Sequence, residues 1–407
     1  MKTISLARLA ATLAGLGLLA LPLACGAAAG SDAQKELRVV TAYRAFGFKL
    51  LSELAKEKPD TNLFISPASV AFALGMARNG ARGTTEEEMA EALEMPGVGL
   101  TNFNAANRQL LGLLRAMDPN VTLESANSLW ADKGTEFNAD FLRRTRESFQ
   151  AEVTALDLTD PATPATINAW ADKKTHGRVR NVIDGPLDKA DRLVLLNATY
   201  FKGTWTHRFN KALTKDRPFH LLNGTERQHP FMAQMGTYRY LAGKAFQAVS
   251  LPYGKGRASM YVFLPAQESS LKAFIESLTE ANWKRWLANF KDMEGSVALP
   301  KFKLETRTDL KEPLKALGVK AAFGDEKTDL FGMATEPLFI SRFFQRAFVE
   351  VNEEGTEAAA VTGGAVTLGA RPPGPFFTLI VDRPFFFVIR DNLTGTVLFL
   401  GAIADPG

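Results

Sequence analysis

The sequence predicts an α+β fold with large antiparallel or mixed sheets. Segments with helical spacing crowd the first half of the chain and strand-like runs crowd the second. No regular β-α-β alternation links them, and no internal repeat divides them. The chain has 407 residues, 46% of them hydrophobic and 23% charged, ordinary values for a globular protein.

Residues 1–29 read as an export signal. Lys2 and Arg8 form a positive end, and residues 9–24 are apolar and uncharged, too short a run for a usual membrane span. The single cysteine, Cys25, follows Ala24 at the end of that run. Bacterial lipoprotein signals carry a lipid-accepting cysteine there, usually with Leu three positions earlier, where this chain has Pro22. Ordinary cleavage after residues 27–29 is the alternative. One cysteine excludes an internal disulfide, so stability falls to the core that residues 30–407 can bury.

Residues 32–56 have helical spacing, with Val39, Tyr43, Phe46, Leu50 and Leu54 on one face. A second helix is expected over 64–77, with Ser66 and Pro67 near its start. Thr84 and Thr85 followed by Glu86, Glu87 and Glu88 read as a cap and an acidic first turn. Further helices are expected over 102–117, over 138–149 with Arg143, Arg144 and Arg146 on the wet side, and over 163–175. Strands are expected over 121–130, 151–156 and 192–201, the last leading to Trp205. Residues 225–265 alternate short strands and turns, with Gly254-Lys255-Gly256 as a hairpin turn. A helix over 271–290, a strand over 297–304 and a helix over 310–317 follow. The end reads as a hairpin, 385–389 and 397–403 around the turn 391–395.

Enzyme signatures are missing from the sequence. The four histidines, His176, His207, His220 and His229, form no metal-ligand spacing, and there is no nucleophile elbow or phosphate loop. No metal and no cofactor are expected. The net charge of +4 includes the two leader charges, so nucleic acid is not an expected partner.

The most informative stretch is residues 353–366, EEGTEAAAVTGGAV, after the strand-like 347–351. At period two, Thr356, Ala358, Ala360, Thr362, Gly364 and Val366 share a face, while Glu357 places the other face in water. Every inward candidate is small or modest. The segment is suited both to a solvated loop and to a strand buried between two others.

Here the sequence resembles the serpin family, whose hinge before the reactive loop is similar to Glu353-Glu354-Gly355-Thr356-Glu357-Ala358-Ala359-Ala360. Residues 62–71 (NLFISPASVA), 196–205 (LNATYFKGTW), 297–302 (VALPKF) and the tail from DRPFFF at 382–387 to Gly401 extend the resemblance over nearly the whole chain after the leader. It implies helices packed on three sheets, with a large central sheet that accepts the reactive loop, about 353–376, as an extra strand. It implies no enzyme but a suicide inhibitor: a protease cuts the loop, forms an acyl-enzyme, and is trapped as the loop inserts. The alternative is a non-inhibitory member acting as a binding protein or as a plain substrate. Counting along the hinge places the cut at Gly369–Ala370, with Leu368–Gly369 next; Arg371 is followed by Pro372. These residues suit elastase-, subtilisin- or chymotrypsin-like serine proteases, with cysteine proteases as further partners of a monomeric, exported inhibitor. By resemblance, Ser66, Ser69, Asn197 and Gln345 match the shutter that controls sheet opening, and Trp205 matches the breach where insertion begins. Arg108 and Arg115 alone make too weak a basic face for a polyanion activator. The one lipid contact expected is an anchor at Cys25.

Overall fold

The computed structural model describes residues 26–324, 326–356 and 375–407, with side chains from Arg38 onward. Its helices are α1 (Gly26–Glu57), α2 (Pro67–Arg78), α3 (Gly83–Ala92), α4 (Leu100–Arg115), α5 (Ala139–Phe149), α6 (Thr163–Lys174), α7 (Leu271–Glu276), α8 (Glu280–Asn289) and α9 (Lys311–Ala316). The strands are β1 (Leu63–Ile65), β2 (Val121–Asp132), β3 (Glu152–Leu156), β4 (Leu193–Thr204), β5 (Lys215–His220), β6 (Glu226–Ala242), β7 (Phe246–Tyr253) and β8 (Ala258–Pro265). They continue as β9 (Lys291–Pro300), β10 (Phe302–Asp309), β11 (Ile340–Asn352), β12 (Gly355–Thr356), β13 (Phe376–Ile380), β14 (Phe385–Asp391) and β15 (Val397–Ile403). Among the described residues no helix is long and apolar enough to cross a membrane.

The strands form two hydrogen-bonded sheets. One has six strands in the order β10-β11-β12-β4-β2-β3. The other has nine: β1-β15-β14-β8-β7-β6-β9-β13, with β5 beside β6. Three sheets were implied by the resemblance. Two of them are continuous here because the 17-residue β6 pairs with β5 over residues 226–231, with β9 over 231–240 and with β7 over 239–242.

The inner face of the six-stranded sheet rests on α2, every residue of which is buried, and α2 in turn packs on α1. All five residues of the stripe expected on α1, Val39 through Leu54, are buried. The outer face carries α6 and the chain after it. Trp170, Val182 and Ile183 lie there in one apolar cluster with Leu196 and Tyr200 of β4 and Phe344 and Phe348 of β11.

Several expected elements differ in physically simple ways. Residues 64 and 65 belong to β1, paired with β15, because Pro67 sets the first helical turn and keeps Ser66 extended (φ −107°, ψ 96°). Thr85 does not cap α3; its hydroxyl donates to the Lys327 carbonyl and accepts from the Asp329 amide. The helix expected over 271–290 is two, since the Thr279 hydroxyl caps α8 by accepting from the Asn282 amide. The strand expected over 297–304 breaks at Lys301 into β9 and β10, which belong to different sheets. The run 225–265 is three antiparallel strands, β6 of 17 residues and β7 and β8 of eight each, and Gly254-Lys255-Gly256 turns between β7 and β8 with both glycines at positive φ. The closing hairpin of β14 and β15 stands where the sequence put it.

Candidate functional site

The site is the seam between β4 and β11. The two strands pair in parallel from Ile340↔Leu193 to Phe348↔Tyr200. Beyond Tyr200 they part, and β12 lies between them. Thr356 is opposite Val351 on one side and Gly203 on the other; Gly355 is opposite Asn352 and Thr204. Gly355 and Thr356 therefore form a two-residue strand inside the sheet.

Two glycines make this possible. Gly355 has φ +148°, and a Cβ on it would lie 2.0 Å from the Gly203 carbonyl oxygen. A Cβ on Gly203 would lie 2.8 Å from the Tyr253 ring. That ring forms the floor below Thr356. Thr356 is fully buried, and its hydroxyl lies 2.7 Å from the Tyr253 hydroxyl. Burial raises the Tyr253 phenol well above its ordinary value, more than the Thr356 bond lowers it, so it stays a neutral hydrogen-bonding group. Tyr253 stacks on Trp205 at 4.3 Å, with ring planes 11° apart, and meets Phe201 edge-on at 5.1 Å.

Trp205 and its neighbours hold the chain just before β12. The Trp205 indole donates to the Asn352 carbonyl (2.9 Å), and its backbone amide donates to the Glu354 carbonyl (3.0 Å). The Phe209 amide donates to the Glu353 carbonyl (2.9 Å). Both hinge glutamates are buried and paired. Glu353 accepts from the Thr214 hydroxyl (2.8 Å) and meets the Lys301 ammonium at 3.1 Å. Glu354 meets Lys211 at 2.7 Å. Burial alone would raise the Glu353 carboxyl. Hydrogen bonds from its own backbone amide, Thr214 and Lys301, with the Lys301 charge, outweigh burial and hold it below the ordinary carboxylate value.

Lower in the seam, Asn197 and Gln345 face each other in register. The Gln345 amide donates to Asn197 Oδ1 (2.6 Å) and to the Ser66 carbonyl (3.0 Å), and its Oε1 accepts from the Ser66 amide (2.8 Å). Asn197 donates to Asn127 Oδ1 (2.7 Å), its antiparallel partner on β2. The Ser66 hydroxyl lies 2.9 Å from that of Ser69 and 2.7 Å from the Leu398 carbonyl, and Ser69 continues to Ser125 at 2.8 Å. Ser66, Ser69, Asn197 and Gln345 thus share one buried network that joins α2 to both sides of the seam. Trp205 lies apart from it, at the open end.

Sequence reasoning missed Asn127, Ser125 and Tyr253, and it missed Lys301, Lys211 and Thr214 as hinge partners. A signal for Asn127 existed: it is a polar residue inside the otherwise strand-forming 121–130 run. Glu357, Ala358, Ala359, Ala360, Leu368, Gly369, Ala370 and Cys25 lie outside the described residues. The described polar side chains that meet in the middle of the seam are amides and hydroxyls. What it offers is mechanical: a slot one strand wide, occupied at its top and zipped below.

A family profile described as Serpin (serine protease inhibitor) matches residues 41–406. The chain belongs to the serpin family. This serpin is 36% identical to Leukocyte elastase inhibitor of Bos taurus over 374 residues, 89% of this chain and 97% of that protein. It is 34% identical to Glia-derived nexin of Homo sapiens, over 88% of this chain and 92% of the relative. Among solved structures, the thermophilic serpin Tengpin in its native state superposes with a TM-score of 0.83 at 28% identity, over 90% of this chain and 94% of that one. Human thyroxine-binding globulin also superposes at 0.83, with 27% identity, over 91% and 99% of the two chains. The relatives of this serpin therefore include one named as an elastase inhibitor and one named for binding thyroxine.

Proposed function

We propose that this serpin inhibits serine proteases as a suicide substrate. The observation that carries the proposal is Thr356 buried between β4 and β11 above a seam that is still paired. While the loop is intact, its far end is tethered at β13, so no more of it can enter. Cleavage at Gly369–Ala370, or at Leu368–Gly369, removes that tether after the acyl-enzyme has formed. Residues from Glu357 onward then follow Thr356 downward. The eight paired positions of the β4–β11 seam are replaced by two ladders, one on each side of the new strand. A net gain of about ten ladder bonds, at roughly 0.5–1.5 kcal/mol each, is on the order of 10 kcal/mol before packing. A dozen or so extended residues carry the attached enzyme about 40 Å. The intact form is a kinetic trap rather than the global minimum. Gly363 and Gly364 raise the ordering cost of the incoming strand and slow it.

Elastase-, subtilisin- or chymotrypsin-like enzymes suit the small and apolar residues at 368–370; cysteine proteases of similar preference are further targets. A second reading, a carrier or plain substrate, is favoured by the superposition on thyroxine-binding globulin. The test is to mix the purified monomer with elastase, subtilisin, chymotrypsin, trypsin and a papain-type enzyme. A detergent-stable complex and a nick at 368–370 are expected. Cleavage by every enzyme without any complex overturns the inhibitor reading in favour of the second. Export with a lipid on Cys25 completes the proposal; Cys25→Ser is expected to move the protein from the membrane fraction to the soluble fraction. An unchanged distribution favours the ordinary cleavage site.

A further inference from the structure

His229 stands at the start of β6 and is 7% exposed. Its Nδ1 lies 2.9 Å from the backbone oxygen of Gly407, and its Nε2 lies against the carbonyl oxygen of Lys301. Both ring nitrogens thus face oxygens that can only accept. A neutral imidazole has one N–H; its other nitrogen would turn a lone pair against an oxygen lone pair. Only the doubly protonated ring donates to both.

Lys301 is the residue at which the chain leaves β9 for β10, and so passes from one sheet to the other. It is held at three points. Its amide donates to the Pro230 carbonyl (3.0 Å), its carbonyl faces His229, and its ammonium meets Glu353 of the hinge. His229, Lys301 and Glu353 also line one cleft of about 550 Å³ beside the hinge.

We propose that His229 is a proton-operated latch on the hinge: the imidazolium fixes the Lys301 corner, and Lys301 fixes Glu353. Other charges surround it. Arg217 stands opposite on β5, and Arg227, two residues away on β6, is paired with Asp405 of the tail. Lys211, Lys303 and Glu350 complete the charged lining of the cleft, with Lys211 paired to Glu354. The latch is complete only while the imidazole carries both protons, because either nitrogen without its proton faces an oxygen it cannot bond. Glu353 acts with the opposite sign at lower pH, because protonating it removes the Lys301 pair. The hinge is held most firmly between the two.

The consequence for inhibition, a faster entry of the loop at alkaline pH, rests on the inhibitor reading; the latch itself does not. The test is hydrogen exchange of the intact chain, expressed as protection of the amides in 352–356 relative to unstructured peptide. Between about pH 6 and about pH 8.5, protection is expected to fall roughly tenfold, the ratio that one charge-assisted hydrogen bond is worth. His229→Gln, which cannot take up the proton, should remove that dependence. Glu353→Gln should also remove it while nitrogen NMR still shows His229 protonated at both ring nitrogens at the lower pH. Hinge protection that stays flat in the wild type, or is equally pH-dependent in His229→Gln, overturns the latch. Pronounced latch behaviour in a protein that traps no protease sinks the inhibitor reading and leaves the latch standing.

Discussion

The top and the middle of one seam are built from opposite materials. At the top, Trp205, Tyr253 and Phe201 pack ring on ring, and two residues of the hinge already separate the strands. In the middle, Asn197 and Gln345 touch across the closed seam through side-chain amides. The rings pack beside the two residues that already separate the strands, and among the described residues none of these three rings packs on a ring of β11. An amide–amide bond of 2.6 Å does not survive a new strand, which would move its two ends about 9–10 Å apart, two strand spacings. On the proposed path of insertion, the strands are already parted beside the rings and are held together at the amide network below. A latch made of polar side chains is short-ranged: it holds fully until it breaks, and then holds nothing.

This contrast can be tested from its largest consequence downward. Nicking the loop should let the whole seam fill, stabilising the fold on the order of 10 kcal/mol and raising its melting temperature by tens of degrees. Nicked and intact samples that melt together would show that the seam does not open. Next, Thr356→Arg puts an unpaired charge in a fully buried slot, at a cost of about 3–5 kcal/mol. The variant should be cleaved by target protease yet form no detergent-stable complex; persistent complex would mean that this slot is not the path of insertion.

Gln345→Ala separates middle from top. It strands Asn197 Oδ1 and the Ser66 backbone, and should cost the intact form about 2–4 kcal/mol in urea unfolding. The nicked form, whose network is already broken, should lose much less. Equal losses would place the resistance elsewhere. Tyr253→Phe removes only the bond to Thr356. A cost of ~1 kcal/mol is expected, seen as faster amide exchange at 355 and 356 with the Asn197 region unchanged. Acid gives the smallest effect. Glu353 has its carboxyl lowered in the fold, so its clamp is fully present above the ordinary carboxylate range and is lost as pH falls through the lowered value. Hinge exchange should rise there, and Glu353→Gln should show that rise already at neutral pH.

Much of this site was legible in the chain. Small residues at every second position from Thr356 read as a segment able to fit between strands; Thr356 does face inward, and the positions after it lie outside the described residues. Ser66 beside Pro67 marks a helix start, and the helix there is wholly buried. Glu353 and Glu354 resemble hinge residues in the sequence, and nothing there marks them as buried, which they are. A glutamate reads as solvated unless its partners are known, and Lys301, Thr214 and Lys211 are 52, 139 and 143 residues away. The break at Lys301 was hidden for a related reason: strand-forming residues flank it, and only the pairing of its two halves with different sheets reveals a corner.

By itself, the sequence determined a period, a composition and a set of faces, because alternation and side-chain size act between near neighbours. The tertiary structure decided depth and direction. That Thr356 lies inside, that the seam is open above Tyr200 and shut at Asn197, and that His229 reaches the hinge through Lys301 all depend on contacts between distant segments. A hydrogen bond is decided by tenths of an ångström, and no local pattern specifies where two remote backbones will meet.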